Sequence, residues 1–233
     1  MTTKFYYGCD ELERGWDRYF QQCNTIEWKI RDESRAPTIK TLNSWRVQSP
    51  KGFAFVLHLD NDALAALVKA CENGREELGA DFNEGWERTA ARAKALAAKA
   101  IIISTPMEVT PGATSKALLL EVARRVAELK KVLIWEPSGL WTPEAAREWA
   151  SANGIVAAID PFMAMKDGLE PGHGDACFLV NERAGMRRKF DQYDVENLID
   201  WSEGLQRVFV LLRGRFKWQH AREFRYVFEQ DGA

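Results

Sequence analysis

Short apolar runs alternate with amphipathic stretches along almost the whole chain, and the clearest unit lies between Lys130 and Phe162. Val132 to Trp135 is an apolar run of the kind that forms a strand covered on both faces. Glu136-Pro137-Ser138-Gly139 interrupts it. Thr142-Pro143-Glu144 then opens a helix with a hydroxyl cap, a proline at the first helical position and an acid in the first turn. Ala145, Trp149 and Ala152 share one face of that helix, and Asn153-Gly154 stops it. Ile155 to Ile159 is a second strand of the buried type, ended by Asp160-Pro161. A strand–helix–strand unit of this kind joins parallel strands by a right-handed crossover.

The alternation extends to both sides. Strand-like runs occur at Phe5 to Gly8, Thr25 to Ile30, Phe53 to Leu57, Ala100 to Ile103, Ala176 to Val180 and Arg207 to Leu212. Helical spacing links Leu12, Trp16, Tyr19, Phe20 and Cys23. It recurs over Pro37 to Val47, Asn61 to Cys71, Trp86 to Lys99 and Ser115 to Leu129. Asp194 stands as the cap of a helix bearing Val195, Leu198, Ile199 and Trp201, and Ala221 to Phe228 forms a closing helix. Glu72 to Gly85 is polar and reads as a loop or a short helical insertion; Lys166 to Gly174 reads as a loop. Eight strands alternating with helices predict an α/β fold, a single (β/α)8 TIM barrel occupying residues 1–233 as one domain. A doubly wound sheet is the alternative, should the connection between the second and third strands hide an extra strand pair.

With 46% hydrophobic residues the chain supports a sizeable core, and its net charge of -2 argues against a polyanion-binding block. Cys9, Cys23, Cys71 and Cys177 are scattered with no C-x-x-C pair, which points to reduced thiols in a cytoplasmic protein. No secretory signal is evident, and no apolar run approaches the roughly 20 residues of a membrane span, so no membrane partner is expected.

Acids at strand ends are the first candidates for chemistry. Glu27, Glu136 and Asp160 lie at or near strand C-termini, the rim where parallel barrels hold their ligands. Paired carboxylates there serve as acid and base or bind a divalent ion; the competing reading has each of them cap a loop or pair with an arginine. Glu27 and Glu136 are the favoured pair. His58 also ends a strand, as a general acid/base, an anion ligand or a structural hydrogen-bonding group. His58, His173 and His220 are too scattered to suggest a multi-histidine zinc site, and no metal site is expected.

Lys29, Arg183 and Arg213, with Arg187, Arg188, Arg215 and Lys217, follow the second, seventh and eighth strands. The common phosphate site of barrels lies after the last two. The interleaved Phe190, Tyr193, Phe216 and Trp218 suit base stacking, or simply core packing beside a solvated basic rim. No Walker loop or G-x-G-x-x-G occurs, so the sequence implies no nucleotide cofactor, and the cofactor stays unknown.

Several of these motifs resemble the YecE-like family, the domain of unknown function 72. They are Gly8-Cys9 at the first strand, Asn24-Thr25-Ile26-Glu27 at the second, and Trp45 with Pro50-x-Gly52-Phe53-x-Phe55 at the third. Thr105-Pro106, Glu136-Pro137-x-Gly139 and Asp160-Pro161-Phe162 complete the set. The resemblance implies a TIM barrel and carries no agreed activity. Polar positions depart from it: His58 replaces a lysine, Ser104 a common glutamine and Ser138 an arginine. Leu212-Arg213-Gly214 stands for Phe-Asn-Asn. The resulting expectation is an anionic ligand, phosphate-bearing or nucleic-acid-like, bound at the C-terminal face. The alternative is a hydrolase or lyase acting on a small anionic substrate through Glu27 and Glu136.

Overall fold

A computed structural model describes residues 3–12, 15–181 and 191–231. In chain order they form β1 (Lys4–Cys9), α1 (Trp16–Gln22), β2 (Thr25–Trp28), α2 (Ile39–Gln48) and β3 (Ala54–His58). Next come α3 (Asn61–Glu72), α4 (Ala80–Ala95), β4 (Ala100–Ser104), α5 (Ala113–Glu128), β5 (Val132–Glu136) and α6 (Pro143–Ala152). The chain continues through β6 (Val156–Ile159), α7 (Pro161–Lys166), β7 (Asp175–Val180), α8 (Gln192–Trp201), β8 (Arg207–Leu212) and α9 (Lys217–Asp231).

The eight strands form one parallel sheet in the order β1-β8-β7-β6-β5-β4-β3-β2. The two ends of that list meet: Asn24 donates its N–H to Tyr7 O at 3.2 Å, and its Oδ1 accepts from Tyr7 N at 2.7 Å. The fold is a (β/α)8 TIM barrel. The doubly wound alternative fails because the β2–β3 connection holds only a 3-10 turn at Glu33–Arg35 and α2. Within the fold, contacts gather into two compact units. One comprises Met1–Glu27, Pro50–Ala54 and Ala158–Ala233; the other comprises Trp28–Ser49 and Phe55–Ala157.

Alternation along the strands sorts the side chains. In the first unit Tyr7 stacks on Phe224 and Phe228 of α9, so it faces the helices, whereas Tyr6 stacks on Phe209 of β8 and faces inward. Arg207, Leu211 and Arg213 share the face of Phe209, and at the start of the strands Arg207 holds Asp175 at 2.5 Å. In the second unit Trp135 packs on Trp149 of α6 at 5.4 Å, which turns Ile134 and Glu136 inward. Register carries that face across the sheet, through Ile134↔Ile102↔His58 and Glu136↔Ser104.

Local chemistry accounts for the helix boundaries. Thr142 Oγ1 accepts from Ala145 N ahead of Pro143, as the sequence suggests. Asp194 is not the cap of α8: Asp191 is, and the two acids form a reciprocal capping box. α4 begins at Ala80, inside the stretch read as a loop or a short helical insertion, and α7 is a short helix in a segment with no helical expectation.

His220 of α9 is 3% exposed. Burial pushes its pKa down to about 4, against a smaller upward pull from Asp194. The folded state then binds fewer protons than the unfolded one below about pH 6.5, so His220 lowers stability progressively as pH falls from there to about 4. The total is on the order of 3 kcal/mol. Urea midpoints measured between pH 7 and pH 4 should show this slope, and His220→Gln should flatten it. An unchanged slope in that variant would assign the acid sensitivity to other groups.

Candidate functional site

The C-terminal strand ends of the second unit carry a carboxylate, a hydroxyl and an imidazole on one inner face. Glu136 is the last residue of β5, Ser104 of β4 and His58 of β3. Ser104 Oγ donates to Glu136 Oε2 at 2.5 Å. His58 stands one register layer below Ser104, level with Ile102, and is half-buried. Below these groups the inward positions are apolar, so the polar atoms concentrate at the strand ends.

The loops that hold Glu136 are laced together. Thr105 N–H donates to Glu136 O at 3.0 Å, Trp135 Nε1 to Thr105 Oγ1 at 2.9 Å, and Ser138 Oγ to Thr105 O at 2.6 Å. Trp141 Nε1 reaches Val109 O at 2.8 Å. Gly139, at φ 70°, lets the chain pass Met107, whose Cα would lie 2.7 Å from an added Cβ. The Thr-Pro and Glu-Pro-x-Gly motifs are therefore a built support that fixes the carboxylate at the rim.

In the first unit Glu27 of β2 is 1% exposed and takes a two-pronged bond from Arg213, which follows β8. Nη2 lies 2.6 Å from Oε1 and Nε 3.0 Å from Oε2. This geometry is the strongest that a guanidinium and a carboxylate form, and it orients both groups at the expense of their net charge. Beside them Lys217, 6% exposed, donates to Asp10 and Glu11 at 3.0 Å each.

Lys29 is exposed just past β2. Asp160 caps α7, its Oδ1 accepting from Phe162 N and Met163 N at 3.1 and 3.2 Å. Arg183 lies outside the described residues, as do Arg187, Arg188 and Phe190. His173 is exposed in the loop before β7. Among the described residues no group of three or more His, Cys, Asp or Glu is arranged to hold a metal, and no helix is long and apolar enough to cross a membrane.

Two features escaped the sequence reading. Ser104 is the partner of Glu136, and only its register opposite Glu136 reveals it. Asp60, immediately beyond β3, is the centre of an ion network. Its fully buried carboxylate receives Arg88 Nε and Nη2 at 2.9 and 2.7 Å and Arg92 Nη1 at 3.0 Å. Arg92 in turn holds Glu33 at 2.5 Å. Asp60 also caps α3, accepting from Asp62 N at 3.0 Å, and nothing local in the sequence marks its distant arginine partners.

No family model matches the sequence, and no curated protein does. Solved structures share its fold. A DUF72 family protein from Enterococcus faecalis superposes with a TM-score of 0.68 at 13% identity, covering 97% of this chain and 98% of its own. One from Thermotoga maritima gives 0.63 at 12%, with 97% and 99% covered. A xylose isomerase domain containing protein from Salmonella typhimurium gives 0.57 at 11%, with 99% and 96% covered. At these identities the likeness is one of fold: the chain is similar, over nearly its whole length, to DUF72 barrels and to other TIM-barrel proteins.

Proposed function

We propose that this chain is a diverged DUF72-like barrel of the cytoplasm that binds a small polyhydroxylated molecule at the C-terminal ends of β3 to β5. Glu136 is the carboxylate that takes up and returns a ligand proton. One observation carries the reading: Glu136 stands on the inner face, fixed by Ser104 and the laced loops, with His58 on the same face. A carboxylate bonded to a hydroxyl accepts hydrogen bonds from further hydroxyls, and the His58 imidazole on the same face offers a donor and an acceptor of its own. Barrels named for sugar isomerisation and epimerisation share this fold, which agrees with a ligand of that class.

An anionic ligand, nucleic acid included, is the second reading, favoured by the two cations Arg213 and Lys217 at the end of β8. It stands second because both cations are engaged by carboxylates, and an anion at Arg213 must displace Glu27. The acid–base pairing of Glu27 with Glu136 is weakened by the same bond.

The test is a thermal-shift screen of sugars, sugar acids and sugar phosphates on the wild-type chain and on Glu136→Gln. Glutamine keeps an acceptor for Ser104, so the free variant should melt within about 2 °C of wild type. Ligands that raise the wild-type melting temperature should lose their effect. Hits retained by the variant, or a panel without hits, would remove the proposal.

A further inference from the structure

The helical layer of the first unit carries a groove of about 320 Å3 lined by Arg18, Gln21, Gln22, Trp218 and Arg222. Helical spacing builds it. Arg18, Gln21 and Gln22 stand three and four residues apart on α1, and Trp218 and Arg222 stand four apart on α9, so each set shares one face. Both walls are fixed. Arg225 Nη1 donates to Gln21 O at 2.6 Å, and Trp218 packs edge-on against the buried Tyr19 at 5.4 Å.

Its charge sets this groove apart from the strand ends. There, Arg213 and Lys217 each hold carboxylates. Here two guanidinium groups line the walls with no carboxylate among the lining residues. Arg18 and Arg222 have no hydrogen bond or ion pair among the described residues. A second observation is independent of charge. Gln22 Oε1 is buried and accepts no hydrogen bond, a state that costs free energy until a donor reaches it.

We propose that this groove binds a nucleoside monophosphate. The phosphate spans Arg18 and Arg222, whose planar N–H forks suit its oxygens. The base lies along the Trp218 indole, and rotation of the half-buried Gln22 side chain brings its Oε1 out to accept from the exocyclic amino group. A bare anion uses neither the indole nor the glutamine acceptor. The volume is at the lower end of the roughly 300–1,000 Å3 of small-molecule sites, room for one nucleotide.

Calorimetric titration of the full chain with AMP, inorganic phosphate, adenosine and a single-stranded oligoadenylate tests this at about 50 and about 200 mM salt. AMP should bind more tightly than phosphate or adenosine, and less tightly at the higher salt. The double variant Arg18→Ala/Arg222→Ala should weaken AMP at least about tenfold without moving the melting temperature, because both side chains are exposed. Gln22→Leu should weaken AMP and leave phosphate unchanged. Glu136→Gln should leave AMP binding intact, which separates this site from the one at the strand ends. The proposal is overturned if AMP fails to bind at about 1 mM, if phosphate or adenosine matches it, or if the double variant binds AMP undiminished. Oligoadenylate binding far above AMP, and lost in the double variant, overturns it in favour of nucleic acid.

Discussion

Gly8→Ala should lower stability by at least about 3 kcal/mol and the melting temperature by at least about 6 °C, a large share of what a domain possesses. A Cβ at Gly8 would lie 1.8 Å from Thr25 O and 2.7 Å from Thr25 C, both backbone atoms of β2. No rotamer change relieves that contact, so β1 and β2 must move apart. They are held together at this point. Thr25 Oγ1 donates to Ala54 O at 2.9 Å, and the Asn24 amide bridges to Tyr7 N and Phe5 O. The Tyr19 hydroxyl accepts from Cys9 N at 2.8 Å and lies 2.9 Å from Cys9 O and 2.8 Å from Thr25 O. Tyr19 is fully buried, and burial raises its pKa well above the usual phenol value, so the hydroxyl keeps the proton it donates. Separating the strands strands these groups, each costing about 1–3 kcal/mol when left buried without a partner. Urea and thermal denaturation measure the effect. A variant melting within about 2 °C of wild type would show that the strands yield where the backbone atoms now forbid it.

That glycine was legible in the sequence as part of a Gly-Cys strand end, although its reason was not, because the clash is with a strand 17 residues on. The strands read well for a simple cause: in a parallel barrel both faces are covered, and continuous apolar runs such as Val208–Leu212 have no other use. α4 read poorly because Gly85 and its polar neighbours look like a loop. The structure gives Gly85 a packing role instead: an added Cβ would meet Ala63 N of α3 at 2.6 Å, so the glycine lets two helices approach closely. α7 spans six residues, too few for periodicity, and only Asp160-Pro161 marks its start. At the candidate site, Glu136 and His58 were visible as polar residues ending apolar runs. Pairing of Glu27 with an arginine was among the readings, but that the arginine is Arg213 was not legible, because 186 residues separate partners that carry no local signature of each other. For the same reason Arg213 read as a ligand-binding cation with no sign of the carboxylate that it holds.

Asp60→Ala should cost about 3–5 kcal/mol, the range seen when one member of a buried ion pair is removed and the other is left uncompensated. The Asp60 side chain is fully buried, and Arg92 retains only 10% exposure, so water cannot solvate the orphaned guanidinium. Arg88, at 36%, can turn outward to Asp62 and loses less. The variant also removes the cap of α3, and it loosens Arg92 from its place between Asp60 and Glu33. The pH dependence distinguishes this cause from lost packing. Burial alone would raise the Asp60 pKa, but the bonds and charge of Arg88 and the Asp62 N–H outweigh it, and the carboxyl sits below its ordinary 3.8. A carboxyl depressed on folding contributes stability that is fully present above its unfolded pKa of about 3.9 and is lost as pH falls through the folded value. Wild type should therefore lose stability relative to Asp60→Asn below about pH 4. The asparagine variant, already without the charge, should show a flatter acid limb while starting less stable at pH 7. Urea midpoints of the two proteins at pH 7 and in steps below pH 4 measure the convergence. Parallel curves would mean that the Asp60 charge contributes nothing and that its place in the fold rests on shape alone.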